Sequence, residues 1–147
     1  GGNLAACTVM KSIKEDTPLP AKLALLSPWM DLSKSSISNL KNESEFSPFD
    51  NLDTLAYSRE YIGKMNEDDP LVSPIFGSFH GFPETHVQVS DVEFFYSDSM
   101  RTIDKLKKSN VNVTSHVESK SLHGWHLVPD ILPDAKRSMQ ILADFFN

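Results

Sequence analysis

Between Ala21 and Pro28 the chain runs Lys22-Leu23-Ala24-Leu25-Leu26-Ser27, a short and almost wholly apolar stretch closed by a proline. Six residues is a strand length, and a strand without polar alternation has no face to give to water, so both its faces need cover. A buried helical segment of the same length would read alike; the run is read as a strand. The architecture this implies is α/β: a mainly parallel sheet between helices.

The rest of the chain supplies those layers. Ala6, Val9, Met10 and Ile13 recur at helical spacing after Gly2 and predict a first helix, ended before Pro18 and Pro20. Residues 33–50 are polar and aperiodic and read as a surface excursion. Asn51 and Asp53 offer N-cap oxygens to a helix with Leu52, Leu55, Ala56 and Ile62 on one face and Gly63 as its stop. Asp69 to Pro74 holds two prolines and cannot be regular. Thr85 to Val89 alternates as a strand, Ser99 to Lys108 reads as a helix, and Val111, Val113 and Val117 alternate with Asn112, Thr114 and His116 as a half-buried edge strand. Ala135, Met139, Leu142 and Phe146 form the stripe of a last helix, with Pro133 in its first turn. Three strands are few for a parallel sheet, so the chain is expected to be part of a larger sheet domain and incomplete on its own. Its opening on Gly1-Gly2-Asn3-Leu4, with no Met and no leader, fits that expectation.

Charge and cysteine content narrow the function classes. With 14 Lys+Arg against 20 Asp+Glu the net charge is −6, and no basic cluster exists to contact phosphates, so nucleic acid is not an expected partner. No apolar run approaches the ~20 residues of a membrane span. Cys7 is the sole cysteine, which rules out an internal disulfide and a thiolate zinc cluster. It falls within the first helix, where a lone cysteine is usually core rather than a nucleophile.

In open α/β sheets the reactive groups gather just past the carboxyl ends of the strands. One such exit carries Ser90-Asp91-Val92-Glu93, and the next leads through Glu118 to Leu122-His123-Gly124-Trp125-His126. A carboxylate and a histidine on neighbouring exits supply the orienting and basic halves of a nucleophilic triad. Each also has a plain reading, the acids as turn caps and the histidine as a packed side chain. A metal site from His123 and His126, three apart, would need a helix that Gly124 and Pro129 oppose, and His80, His86 and His116 are not spaced to help; no metal and no cofactor is expected.

Gly1-Gly2-Asn3-Leu4-Ala5 resembles the tail of the G-D-S-A-G-G-N-L-A nucleophile elbow in the hormone-sensitive-lipase-like branch of α/β-hydrolases. Leu26-Ser27-Pro28-Trp29-Met30-Asp31, Asp69 to Pro74, Val87 to Glu93 and His123-Gly124-Trp125 resemble that branch's later blocks, in its order. The resemblance implies that residues 1–147 are the C-terminal part of a single α/β-hydrolase domain, starting just after the elbow. The serine, the H-G-G-G oxyanion loop and the N-terminal half of the domain would then lie upstream. It implies Glu93 as the triad acid, separated from Val89 by three residues and 30 positions before His123, with Asp91 as runner-up and Asp98 a helix-start residue. It implies His123 as the base, with His126 outside the motif and Trp125 where Phe is usual. Glu at the acid position and Ser90 in place of a common Gly are departures that leave the chemistry intact.

The expected activity is carboxylic-ester hydrolysis of esterase, lipase or deacetylase type, on a small, apolar ester. The alternative is an inactive fragment or degenerate relative. Fungal members that deacetylate sterols are anchored at the endoplasmic reticulum membrane with a lumenal hydrolase domain, and the sequons Asn42-Glu43-Ser44 and Asn112-Val113-Thr114 are compatible with that group; a cytoplasmic location is the other reading.

Overall fold

The structure is a computed structural model and describes residues 1–33 and 51–147, with the side chains of residues 51–55 left aside. The expected excursion and the Asn42 sequon lie outside the described residues. Among the described residues seven main elements follow one another: α1 (Gly2–Lys14), β1 (Lys22–Leu26), α2 (Asn51–Ile62), β2 (Glu84–Ser90), α3 (Tyr96–Lys108), β3 (Val113–Glu118) and α4 (Pro133–Phe146). Single 3₁₀ turns fall at Pro74–Phe76 and Trp125–Leu127. Gly63 takes φ +57 where the stop of α2 was expected.

The strands pair in the order β1-β2-β3, all parallel, so their carboxyl ends lie together on one edge of the sheet. Leu26 is in register with Gln88, and Ser90 with Glu118. Each strand therefore delivers its following loop to the same place, which is what brings residues 27, 93 and 123 within reach of one another.

The two faces of the sheet are built differently. On one, Ala6, Val9 and Met10 of α1 and Ile103 and Leu106 of α3 close over Leu23, Leu25 and Val87 in an apolar core completed by Ile75, Phe79 and Phe82. Period-two pleating sends His86 and Gln88 to the opposite face, under α4. The strand expected over Thr85 to Val89 is there, and every residue from Thr85 to Ser90 is buried. The polar side chains are consistent with this because each has partners. Gln88 donates to the Ser138 carbonyl at 2.9 Å and contacts His86 Nε2 at 3.1 Å, while His86 Nδ1 reaches Thr114 Oγ1 at 2.7 Å.

Several local expectations shift. β1 is buried only at Leu23 and Leu25, while Ala24 and Leu26 are half-buried beside the cleft described below. β3 is an edge strand as expected, though Val117 is exposed. The α3 helix begins three residues before Ser99, at Tyr96. In α4 the buried residues are Ala135 and Ser138, whereas Met139 and Phe146 of the expected stripe face outward. The helix covers a polar patch, so a small residue and a hydroxyl suit its inner face better than large apolar ones. Ala56 is exposed, and Ile62 packs instead with Leu32 and Val72.

Candidate active site

Glu93 stands in the turn after β2, whose first bond is Glu93 N–H to the Ser90 carbonyl. Its carboxylate is buried to 3 % exposure and fully engaged. Oε1 accepts the Ser90 N–H at 2.8 Å and the Ser27 hydroxyl at 2.7 Å, and Oε2 lies 2.8 Å from His123 Nδ1. These bonds join all three strand exits at one carboxylate.

The loop bearing His123 is shaped by backbone and anchors together. Gly124 adopts φ +78, a left-handed conformation that a side chain would strain, and so turns the chain directly after the histidine. Trp125 and His126 then point inward. The Trp125 indole N–H donates to Ser138 Oγ at 3.1 Å, and His126 Nε2 lies 2.9 Å from Gln88 Oε1, which assigns that nitrogen as the donor. Ser121 N–H adds a bond to Ser90 Oγ at 3.0 Å and ties this loop to the acid-bearing turn. His123 keeps about 30 % side-chain exposure. Phe95 packs edge-on to its ring at 5.2 Å, with Trp29 stacked on Phe95 at 5.2 Å.

His123 opens on a cleft of about 720 Å³ lined mainly by apolar side chains, among them Trp29, Leu32, Tyr61 and Phe95, with Gly1, Gly2 and Asn3 on another side. The start of α1 is fixed there by Asn3, buried, whose amide donates to the Trp29 carbonyl at 3.0 Å and the Val72 carbonyl at 2.9 Å.

The other sequence candidates lie elsewhere. Asp91 is exposed and accepts the Lys120 N–H at 2.7 Å and the Ser119 hydroxyl at 3.1 Å, pinning two strand exits together. Asp98 is in the first turn of α3 but does not cap its own helix. Its Oδ2 accepts the N–H groups of Met30 and Asp31 at 2.8 and 2.9 Å, and Arg101 bridges Asp31 and Asp98. Burial pushes the Asp98 carboxyl up to about 6, against the pull of those two N–H groups. Burial likewise drives the His126 imidazole down to about 4. Cys7 is a buried residue whose thiol is raised to about 11 by burial and by Asp69, which leaves it protonated and poorly nucleophilic. His116 pairs with Glu118 rather than with another histidine, and among the described residues no three His, Cys, Asp or Glu side chains converge as metal ligands. Sequence reasoning missed Ser27, Gln88 and Ser138; Ser27 carried only its position at a strand exit, which does not tell which group its hydroxyl reaches.

A family model described as alpha/beta hydrolase fold matches residues 1–127, and the chain belongs to that family. It is 26% identical over 147 residues to an acetyl-hydrolase of Streptomyces hygroscopicus, covering 100% of this chain and 49% of the relative. It is 27% identical over 146 residues to an esterase of Acinetobacter venetianus, covering 99% and 48%. Among solved structures it is similar to a hormone-sensitive lipase from a metagenome library, with TM-score 0.86, 26% identity and coverage of 99% and 50%. A further likeness is to an esterase of the bacterial hormone-sensitive lipase family, with TM-score 0.88, 25% identity and coverage of 99% and 49%. These likenesses support the hormone-sensitive-lipase-like branch read from the sequence. The chain spans about half the length of the relatives it matches. Among the described residues no helix is long and apolar enough to cross a membrane.

Proposed function

We propose that residues 1–147 form the C-terminal part of a single hydrolase domain and contribute the acid and base of a serine carboxylic-ester hydrolase. Glu93 is the acid, His123 the base, and the serine precedes Gly1. The observation that carries this reading is the 2.8 Å contact from His123 Nδ1 to a carboxylate oxygen of Glu93 that is itself held by two other donors.

With its hydrogen on Nδ1 and donated to Glu93, the imidazole has its lone pair on Nε2. There it takes the proton of the attacking serine hydroxyl as the serine oxygen bonds to the ester carbonyl carbon. The same proton then goes to the alkoxide oxygen as the ester C–O bond breaks and the alcohol leaves. In the second half His123 deprotonates a water that attacks the acyl-enzyme, and returns that proton to the serine. Glu93 stays ionised throughout and stabilises the imidazolium. The apolar cleft favours an apolar ester. A short acyl group is the narrower form of the proposal, supported by the likeness to an acetyl-hydrolase, and acetate esters of sterols, as in the fungal deacetylases, are its narrowest.

The test uses the full-length protein with p-nitrophenyl acetate. His123→Ala should lower kcat by roughly 10²–10⁴-fold with the fold retained. Glu93→Gln should fall nearer to His123→Ala than to His126→Ala, because His126 is turned away into a bond with Gln88. The 147 residues alone should give no turnover above buffer. A wild-type protein without esterase activity, or a His126→Ala variant that folds and loses as much kcat as His123→Ala, overturns the reading.

A further inference from the structure

Ser27 combines three features that its place in a strand-exit loop does not by itself require. It is buried, at 5 % exposure. Its backbone is left-handed, with φ +46, although Pro28 follows and restricts it toward extended values. Its hydroxyl donates to Glu93 Oε1 at 2.7 Å across 66 residues of chain. The other non-glycine residues at positive φ among the described residues are Asp16, Asn110 and Lys120, all exposed at turns where such a backbone meets little constraint. At Ser27 the unfavourable backbone is held in place from both sides, by its own N–H on the Gln88 carbonyl at 2.8 Å and by the hydroxyl on Glu93.

We infer that Ser27 is a positioning residue for the Glu93–His123 pair. A carboxylate can rotate about its last bond and present either oxygen. Here Oε1 is occupied by two donors arriving from two different strand exits, the Ser27 hydroxyl and the Ser90 N–H. With that oxygen engaged, Oε2 is the one turned to His123 Nδ1. Ser90 N–H comes from the end of β2, the same strand exit that carries Glu93, and so ties the carboxylate only to its own strand. Ser27 ties it to the neighbouring strand as well, because it directly follows β1. Ser27 touches the acid and acts on the imidazole only through it.

This inference rests on the proposed roles of Glu93 and His123, and its test is arranged to fail separately from them. The first readout needs no activity: the low-field His123 Nδ1–H proton signal in the full-length protein, compared between wild type and Ser27→Ala. Removing the hydroxyl should broaden that signal and speed its exchange with solvent several-fold. Ser27→Gly should do the same, since the hydroxyl is lost there too while the backbone is freed. The second readout is a cycle of kcat values. Ser27→Ala should lower kcat about 10-fold with KM little changed in the wild-type background, and less than about 2-fold in a Glu93→Gln background, because the residue acts through the carboxylate. An unaltered Nδ1–H signal, an effect in Ser27→Ala that Ser27→Gly lacks, or equal losses in the two backgrounds would overturn the inference. Absence of esterase activity in the wild type would sink the proposed function and leave the proton signal to judge Ser27.

Discussion

Ser99 is fully buried in α3, and its hydroxyl is without a hydrogen-bond partner among the described residues. A hydroxyl taken from water and left unmatched carries a cost of about 1–3 kcal/mol, so removing it should relieve the fold. Ser99→Ala is expected to raise stability by roughly 1 kcal/mol, read as a higher urea midpoint at unchanged slope. A lower midpoint would mean that the hydroxyl is satisfied after all. Asp98, one residue earlier, is the contrast: it is as deeply buried, and its carboxylate meets two backbone N–H groups and Arg101. The same difference explains what could be read from the sequence at this scale. Glu93 and His123 are marked by short blocks with fixed internal spacing, so both could be named without knowing the sheet. Ser27 could not, since its role depends on β1 lying beside β2, a fact no local pattern contains. His126 is a similar case: its sequence neighbours place it beside His123, and only Gln88, 38 residues away, shows why it turns inward.

At the scale of elements, the join between α1 and the loop after β1 is a close approach of two backbone segments. A Cβ placed on Gly2 would meet Pro28 Cβ at 2.7 Å and its Cα at 2.9 Å, and neither atom belongs to a side chain that can swing aside. Gly2→Ala should therefore displace the first turn of α1 from this loop and destabilise the fold by about 1–3 kcal/mol, even though alanine is the better helix former. A thermal midpoint unchanged in Gly2→Ala would refute the contact argument. Element existence was legible because period 3.6 and period 2 are local. Element environment was not. The alternation through β2 marked a strand but could not show that α4 folds back over His86 and Gln88 and buries its polar side as well. The outward turn of Met139 and Phe146 has the same origin: the patch beneath α4 is polar, and Ser138 answers it by accepting from Trp125 and donating to Glu118 at 3.3 Å.

Across the whole molecule, the two buried clamps that hold the loops around the cleft respond to pH in opposite directions. His126 joins the loop after β3 to β2, and burial lowers its imidazole from 6.5 to about 4. The unfolded chain binds that proton more readily, so the contribution of His126 is complete above pH 6.5 and is lost as pH falls toward 4. His86 is shifted the same way, by burial and by the nearby His116. Glu118 is drawn below its usual 4.5, burial being outweighed by bonds from His116, Arg137 and Ser119, so its share is lost only in stronger acid. Asp98 runs the other way. Burial raises it from 3.8 to about 6, the folded state holds the proton longer, and its contribution is complete below 3.8 and lost as pH rises through 6. Between pH 4 and 6 the histidines thus make stability climb with pH while Asp98 makes it fall. Wild-type urea midpoints taken at pH 4.5, 5.5 and 6.5 should rise gently. Asp98→Asn should steepen that rise, whatever it costs in absolute stability, because it deletes the opposing group. His126→Gln should flatten it. A flatter profile in Asp98→Asn than in wild type would show that the carboxylate is ionised throughout this range, held there by the N–H groups of Met30 and Asp31 and by Arg101, and that electrostatic pairing rather than burial governs the joint between α3 and the loop after β1.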